Sequence, residues 1–180
     1  MDEIVTFLDH NDIERILKRM THDILESHEN AKNLVLIGIQ TRGVFIAKRI
    51  ADTIRDLKGV DVSTGTIDIT LYRDDWTLKS PRPVVRDSEI LFSLDGKEIV
   101  LVDDVLYTGR TTRAAMDAII DFGRPRRIEL AVLVDRGHRE LPVQADYVGE
   151  LCKTRRTETV NVYLKEYDGR DQVVIEKKAP

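Results

Sequence analysis

Asp103 and Asp104, two adjacent carboxylates, stand between an apolar run and a hydroxyl-rich loop, and this is the strongest chemical signal in the sequence. The run is Glu98-Ile99-Val100-Leu101-Val102, and the loop continues through Val105, Leu106, Tyr107, Thr108, Gly109, Arg110, Thr111 and Thr112. Unbroken β-branched and aliphatic residues suit a strand buried on both faces, here ending at the aspartates. Ala114, Ala115, Ala118, Ile119 and Phe122 then follow helical spacing. Strand, polar loop and helix amino terminus make an anion site, because N–H groups there lack partners and the helix dipole favours negative charge. A carboxylate pair beside such a nest repels a phosphate unless it faces hydroxyls or a cation. A sugar phosphate meets both demands, with phosphate in the loop, hydroxyls on the acids, and Mg2+ between ligand and water. Taken alone, an apolar strand ending in Asp-Asp is also an ordinary capped strand end. The attached Thr-Gly-Arg-Thr-Thr turns the reading towards chemistry.

The same layout occurs twice more. Asn33 to Ile39 reads as a buried strand ending in Gln40-Thr41-Arg42-Gly43, after which Val44, Ala47, Ile50, Ala51 and Ile54 open a helix. Thr41, Arg42 and the backbone at Gly43 suit a second phosphate, Arg42 offering a bidentate fork. Ile128 to Val134 reads as a further strand, running into Asp135-Arg136-Gly137-His138-Arg139-Glu140 and closed by Pro142. Strands that each end in polar loops are what a parallel sheet provides, since ligands sit outside its carboxyl ends. Asp135 also reads as a strand-end cap and His138 as a surface histidine.

The remaining elements follow from periodicity. Met1 to Leu8 is a short edge strand. A helix begins at Asp9 or Asn11, with Ile13, Ile16, Leu17, Met20, Ile24 and Leu25 on one side. Its other side carries Arg15, Lys18, Arg19 and His22, either a solvated face or a surface for a polyanion. Val62 to Ile69 is a strand, and Lys79 to Glu89 is a long charged segment without period, expected as a lid that excludes water. Gly123 and Pro125 close the motif helix. Ala145 to Val148 reads as a brief strand, and Tyr167-Asp168-Gly169 is a turn inside a carboxyl-terminal hairpin. The expected fold is α/β: a mostly parallel central sheet flanked by helices, with a flexible active-site loop and that hairpin. The 180 residues suit a single domain over 1–180.

A net charge of −4 excludes a general polyanion binder, so any nucleic-acid site must be a local patch. The single cysteine, Cys152, excludes an intramolecular disulfide and fits a reducing compartment; without a paired histidine it reads as an incidental or buried thiol. With no apolar run of spanning length, no membrane partner is expected and the cytoplasm is the expected location.

Taken together, the Thr41–Gly43 loop, Asp68-Ile69-Thr70-Leu71-Tyr72-Arg73-Asp74-Asp75, the Asp103–Thr112 motif and the Asp135–Pro142 segment resemble one family along essentially the whole chain. It is the PyrR family of type I phosphoribosyltransferases, pyrimidine operon regulators that also act as uracil phosphoribosyltransferases. The resemblance implies that Asp103 and Asp104 contact the ribose hydroxyls of phosphoribosyl pyrophosphate (PRPP). It implies that Thr108, Gly109, Arg110, Thr111 and Thr112 cradle the 5′-phosphate, that Val105, Leu106 and Tyr107 belong to the same PRPP and UMP site, and that Thr41 and Arg42 hold the pyrophosphate, with Arg73 and the following loop closing over it. Asp135, Arg136, Gly137 and His138 would lie near uracil. Mg2+ would be held mainly through PRPP, with Asp103 and Asp104 nearby. UMP would be product and effector, and a homodimer or larger homo-oligomer would bind pyrimidine operon leader RNA through Arg15, Lys18, Arg19, His22 and Arg139. The chain departs from the family pattern at Gln144-Ala145-Asp146 and at Leu151-Cys152-Lys153-Thr154-Arg155, which bears on the RNA surface rather than on the catalytic motifs. Competing readings are a uracil or purine phosphoribosyltransferase without RNA regulation, and an RNA-binding nucleotide sensor with little turnover.

Overall fold

The computed structural model describes residues 3–74 and 88–177. Five parallel strands form the central sheet: β2 (Leu34–Ile39), β3 (Ser63–Ile67), β4 (Glu98–Leu106), β5 (Arg127–Asp135) and β6 (Tyr147–Leu151), in the order β3-β2-β4-β5-β6. Every residue of β2 is buried, as a strand covered on both faces requires. Helices α1 (His10–Ser27) and α2 (Arg42–Lys58) cover one face through Ile16, Met20, Ile46 and Ile50, packed with Val100 and Val102. Helix α3 (Arg110–Phe122) covers the other through Ala115, Ala118 and Ile119, packed with Ile99 and Leu101.

Local chemistry fixes the helix ends. Asp9 accepts from the Asp12 N–H at 2.9 Å and Asp12 accepts from the Asp9 N–H at 3.2 Å, a capping box worth about 1 kcal/mol. Gly59, at φ 66°, ends α2.

A second, antiparallel sheet has the order β1-β8-β7, from β1 (Glu3–Leu8), β7 (Glu158–Tyr163) and β8 (Gln172–Lys177). The expected carboxyl-terminal hairpin is there, its connection holding the one-turn helix α4 (Lys165–Asp168) and Gly169 at φ 76°. Strand β1 is an edge strand, and its partner is β8 at the far end of the sequence.

Three expectations shift. Strand β4 does not stop at the aspartates but carries them and runs on to Leu106, because Leu106 is itself buried and Asp103 and Val105 keep the ladder with β5. Strand β6 begins later than expected, at Tyr147, and joins the parallel sheet beside β5. Most of the charged segment expected as a lid, up to residue 87, lies outside the described residues. Its last residue, Glu89, exchanges two main-chain hydrogen bonds with Thr66 at the sheet edge.

At the amino ends of the strands His28 is buried between two carboxylates, Nδ1 at 2.8 Å from Glu98 and Nε2 at 2.6 Å from Glu129. Arg127 stands against the same ring, its Nη2 3.3 Å from Nδ1, so the histidine is held from three sides. The His28 hydrogen bond, helped by Arg127 and Arg126, holds the Glu98 carboxyl below its ordinary range. Among the described residues no helix is long and apolar enough to cross a membrane.

Candidate active site

The strand order places β2 and β4 side by side at the centre, with the chain leaving β2 towards β3 and leaving β4 towards β5. That is a topological switch point, and the loops after the two strands leave the same edge of the sheet side by side. Thr41 and Arg42 stand in the first loop, whose Gln40–Thr41 peptide is cis. Asp103 and Asp104 lie near the end of β4, Tyr107 to Gly109 form the second loop, and Arg110 to Thr112 open α3. Gly43 makes the approach possible: a Cβ there would run into the Val102 carbonyl oxygen.

Asp103 is buried and Asp104 half-buried. Asp103 accepts from the Asp104 N–H at 2.9 Å, and Asp104 accepts from the Val105 N–H at 2.8 Å. Burial, then the charge of Asp104, pushes the Asp103 carboxyl well above the ordinary carboxylate range. Such a pair calls for hydroxyl donors or a cation. Among the described residues no three histidine, cysteine or carboxylate groups are gathered to hold a metal by themselves. The donor set therefore fits a hard cation such as Mg2+ only where a ligand's oxygens complete its shell.

Beyond the aspartates, a cavity of about 440 Å3 is lined by Arg73, Val105 to Thr112 and Glu140. Gly109, at φ 90°, caps α3 and turns the chain into its first helical turn. Thr112 is buried, and Thr108 and Thr111 are half-buried. The Arg110 side chain does not close over the loop: it pairs with Glu140 at 2.8 Å and with Asp74. The loop therefore offers a ligand main-chain N–H groups and threonine hydroxyls, with the Arg110 guanidinium bridging to the loops around it.

The third polar loop is held onto the second. The Thr108 carbonyl accepts from the Glu140 and Leu141 N–H groups at 2.9 and 3.1 Å. Asp135 accepts from the Gly137 N–H at 2.9 Å and from Arg139. Buried Arg136 lies 4.1 Å from the Tyr107 ring centroid and donates to the Arg155 and Glu158 carbonyls at 3.1 and 2.7 Å. His138, at φ 62°, donates through Nε2 to the Thr154 carbonyl at 2.6 Å. The sequence expectation put these side chains beside a base; the hydrogen bonds they make here run to the protein's own framework, and of this loop Glu140 lines the cavity together with Tyr107.

Arg42 is engaged in a bidentate pair with Asp168, Nε to Oδ2 at 3.0 Å and Nη2 to Oδ1 at 2.7 Å. Asp168 was not foreseen, because nothing local in the sequence ties a turn near residue 168 to a loop near residue 42. Of the residues expected at an RNA surface, Lys18 and His22 are exposed on α1, and exposed Arg15 pairs with Asp12 at 2.5 Å. Arg19 reaches the Val148 and Gly149 carbonyls at the edge strand β6. The Arg139 guanidinium bonds Asp135, the Val143 carbonyl and the Tyr107 carbonyl, because an arginine fork satisfies several loop acceptors at once.

Residues 4–166 match the phosphoribosyl transferase domain family. The chain is 55% identical over 176 residues to the bifunctional protein PyrR of Desulfosudis oleivorans, covering 97% of each. It is 53% identical over 177 residues to that of Clostridioides difficile, covering 98% of this chain and 100% of the relative. Its fold is similar to that of a hypoxanthine phosphoribosyltransferase from Trypanosoma cruzi, with TM-score 0.73 and 20% identity, covering 94% of this chain and 93% of the other. A hypoxanthine phosphoribosyltransferase from Staphylococcus aureus gives TM-score 0.71 at 19% identity, covering 98% and 93%. The second pair shows the fold alone; the first, at over half identity along nearly the full chain, shows kinship, and the chain belongs to the PyrR family of phosphoribosyl transferase domain proteins.

Proposed function

We propose that this protein converts uracil and PRPP to UMP and diphosphate, and that it regulates pyrimidine biosynthetic genes by binding their leader RNA in response to UMP. The observation that carries the enzymatic half is the switch point itself. Two strand–loop–helix units sit side by side there, one built for the 5′-phosphate and one carrying the guanidinium for the pyrophosphate, with Asp103 and Asp104 between them. That spacing suits one ligand with a phosphate at each end of a ribose.

In this reading the loop from Thr108 to Thr112 anchors the 5′-phosphate and Asp104, with Asp103 behind it, orients the ribose hydroxyls. Arg42 and Thr41 hold the pyrophosphate as it departs. Main chain around Gly137 and the Tyr107 wall receive uracil. The reacting sugar passes through a cationic state, so the residues supply placement, charge complementarity and exclusion of water rather than a covalent intermediate. The family generally works with Mg2+ on PRPP; bound through the ligand's oxygens beside Asp103 and Asp104, it would neutralise charge on the departing pyrophosphate.

The RNA surface in this reading is the exposed stripe of Arg15, Lys18 and His22, with Arg19 shared between RNA and the β6 edge. It acts as part of a homodimer or larger assembly in the cytoplasm. Product formation from PRPP, Mg2+ and a panel of uracil, hypoxanthine, guanine and orotate tests the enzymatic half. UMP from uracil alone is expected; a purine nucleotide, or none, overturns it. Leader RNA binding that depends on UMP and falls steeply with salt tests the regulatory half.

A further inference from the structure

We propose that Asp168 is a positioning residue for Arg42, fixing the guanidinium through which the loop after β2 grips pyrophosphate. The inference rests on the reading of Arg42 given above and adds a residue from another sheet to the site.

The geometry is that of a clamp. Arg42 is the first residue of α2, and its Nε–Nη2 edge lies against the Asp168 carboxylate at 3.0 and 2.7 Å. A fork on a carboxylate fixes direction as well as charge, which a single contact does not. The Asp168 side chain is only 12% exposed, and its Oδ2 also accepts from the Leu164 N–H at 2.8 Å, so the carboxylate has no freedom to follow a moving guanidinium. The Tyr167 ring stands 5.4 Å from the guanidinium carbon and is tilted against Phe45 of α2, closing the other approach. The turn that carries Asp168 is itself pinned: Arg49, about two turns further along the same side of α2, bonds Glu166 at 2.6 and 2.7 Å and Asp171 at 2.7 and 3.1 Å. What Asp168 does not reach is the second edge of the fork, Nη1 with the remaining Nη2 hydrogen. The Asp168 hydrogen bond, against burial and with the charges of Asp168 and Asp104, holds the Arg42 guanidinium above its ordinary value, so it stays a cation. A pyrophosphate would meet a cation whose orientation is already set, so little is lost in ordering it.

A salt bridge that merely stitches the small sheet to α2 would have the same distances. It would not distinguish between ligands. UMP shares the 5′-phosphate, ribose and base with the reactants and lacks the pyrophosphate, so the two roles separate on a comparison of ligands. Binding of PRPP, of inorganic pyrophosphate with Mg2+ and of UMP is measured by calorimetry for the wild type, D168N, R42Q and the double variant. In D168N the amide oxygen at the Oδ2 position keeps the Leu164 and Arg42 Nε bonds, while its NH2 cannot accept from Nη2, so the second arm of the fork and the charge are lost. PRPP and pyrophosphate are expected to weaken about tenfold in D168N while UMP stays within about twofold. The double variant is expected to be no weaker than R42Q, because both substitutions remove one arrangement. Asp168→Glu, which keeps the charge at another reach, carries the same comparison should the amide variant not fold. Equal weakening of UMP and PRPP, unchanged binding of all three, or tighter pyrophosphate binding overturns the assignment. A selective loss in D168N together with a wild type that makes no UMP from uracil would leave Asp168 in its role and sink the uracil reading instead.

Discussion

Arg139 grips Asp135 at 2.5 Å across one turn of loop, and the same guanidinium donates to the Tyr107 and Val143 carbonyls at 2.9 Å each. One side chain thus ties the end of β5 to the phosphate loop and to the segment that backs Gly109. Arg139→Lys keeps the charge but has no fork, so carbonyls half-buried in this loop lose their donors. The variant is expected to be less stable by about 2 kcal/mol and to bind UMP more weakly. Denaturant unfolding and UMP titration check the two effects; a variant of wild-type stability would show that the brace carries no load.

Gly109 combines φ 90° with a neighbour in the way, since a Cβ would sit 3.1 Å from the Val143 Cβ. Gly109→Ala is expected to cost about 1–2 kcal/mol from the left-handed backbone alone. Because the same residue aims the first N–H groups of α3, UMP affinity should fall further than stability predicts. Affinity measured well below the melting range separates the two.

Asp103 is held as a carboxyl in a place that disfavours its charge, by burial and by Asp104. A raised folded-state pKa means that stability is greatest below the unfolded carboxyl pKa and is lost as pH rises through the folded one. Asp103→Asn should therefore make the ligand-free protein more stable at neutral pH, while UMP formation falls on the order of a hundredfold. Melting curves against pH and initial rates report these opposite signs, and a variant both less stable and less active would contradict the account.

Asp171 runs the other way. Burial would raise it, but hydrogen bonds from Arg49 and the Lys165 N–H and the neighbouring His10 ring bring it down to about 2. Its side chain is 3% exposed. The folded pKa lies below the unfolded value of about 3.9, so the stabilisation is complete above that pH and is lost as pH falls through about 2. The difference in unfolding free energy between wild type and Asp171→Asn is expected to be about 2 kcal/mol near neutrality and to close across that window. A gap that persists at the acid end would mean that Asp171 acts through shape rather than charge.

What could be read from the sequence was what is written locally. Buried parallel strands are continuous apolar runs, so β2, β4 and β5 announce themselves, and a helix opening after Thr-Gly-Arg-Thr-Thr declares the phosphate loop. Asp103 and Asp104 misled only about where β4 stops, because carboxylates look like a strand end and Leu106 still has a core to enter. What was hidden is pairing at a distance. The β1–β8 ladder, the Arg42–Asp168 clamp and the meeting of His28, Glu98 and Glu129 join residues whose sequence neighbourhoods say nothing of each other. Arg139 is a further case: a charged residue in a loop reads as surface, and its three acceptors are visible only in the fold.

The ladder between Glu3 and Lys177 spans 174 positions, so its timing is set by synthesis as well as by energy. A chain emerging amino end first has every strand of the parallel sheet before β8 exists to receive β1. Asp168 likewise follows all five parallel strands in the order of synthesis, so in the emerging chain the loop between β4 and α3 is complete before the carboxylate that pairs with Arg42 exists.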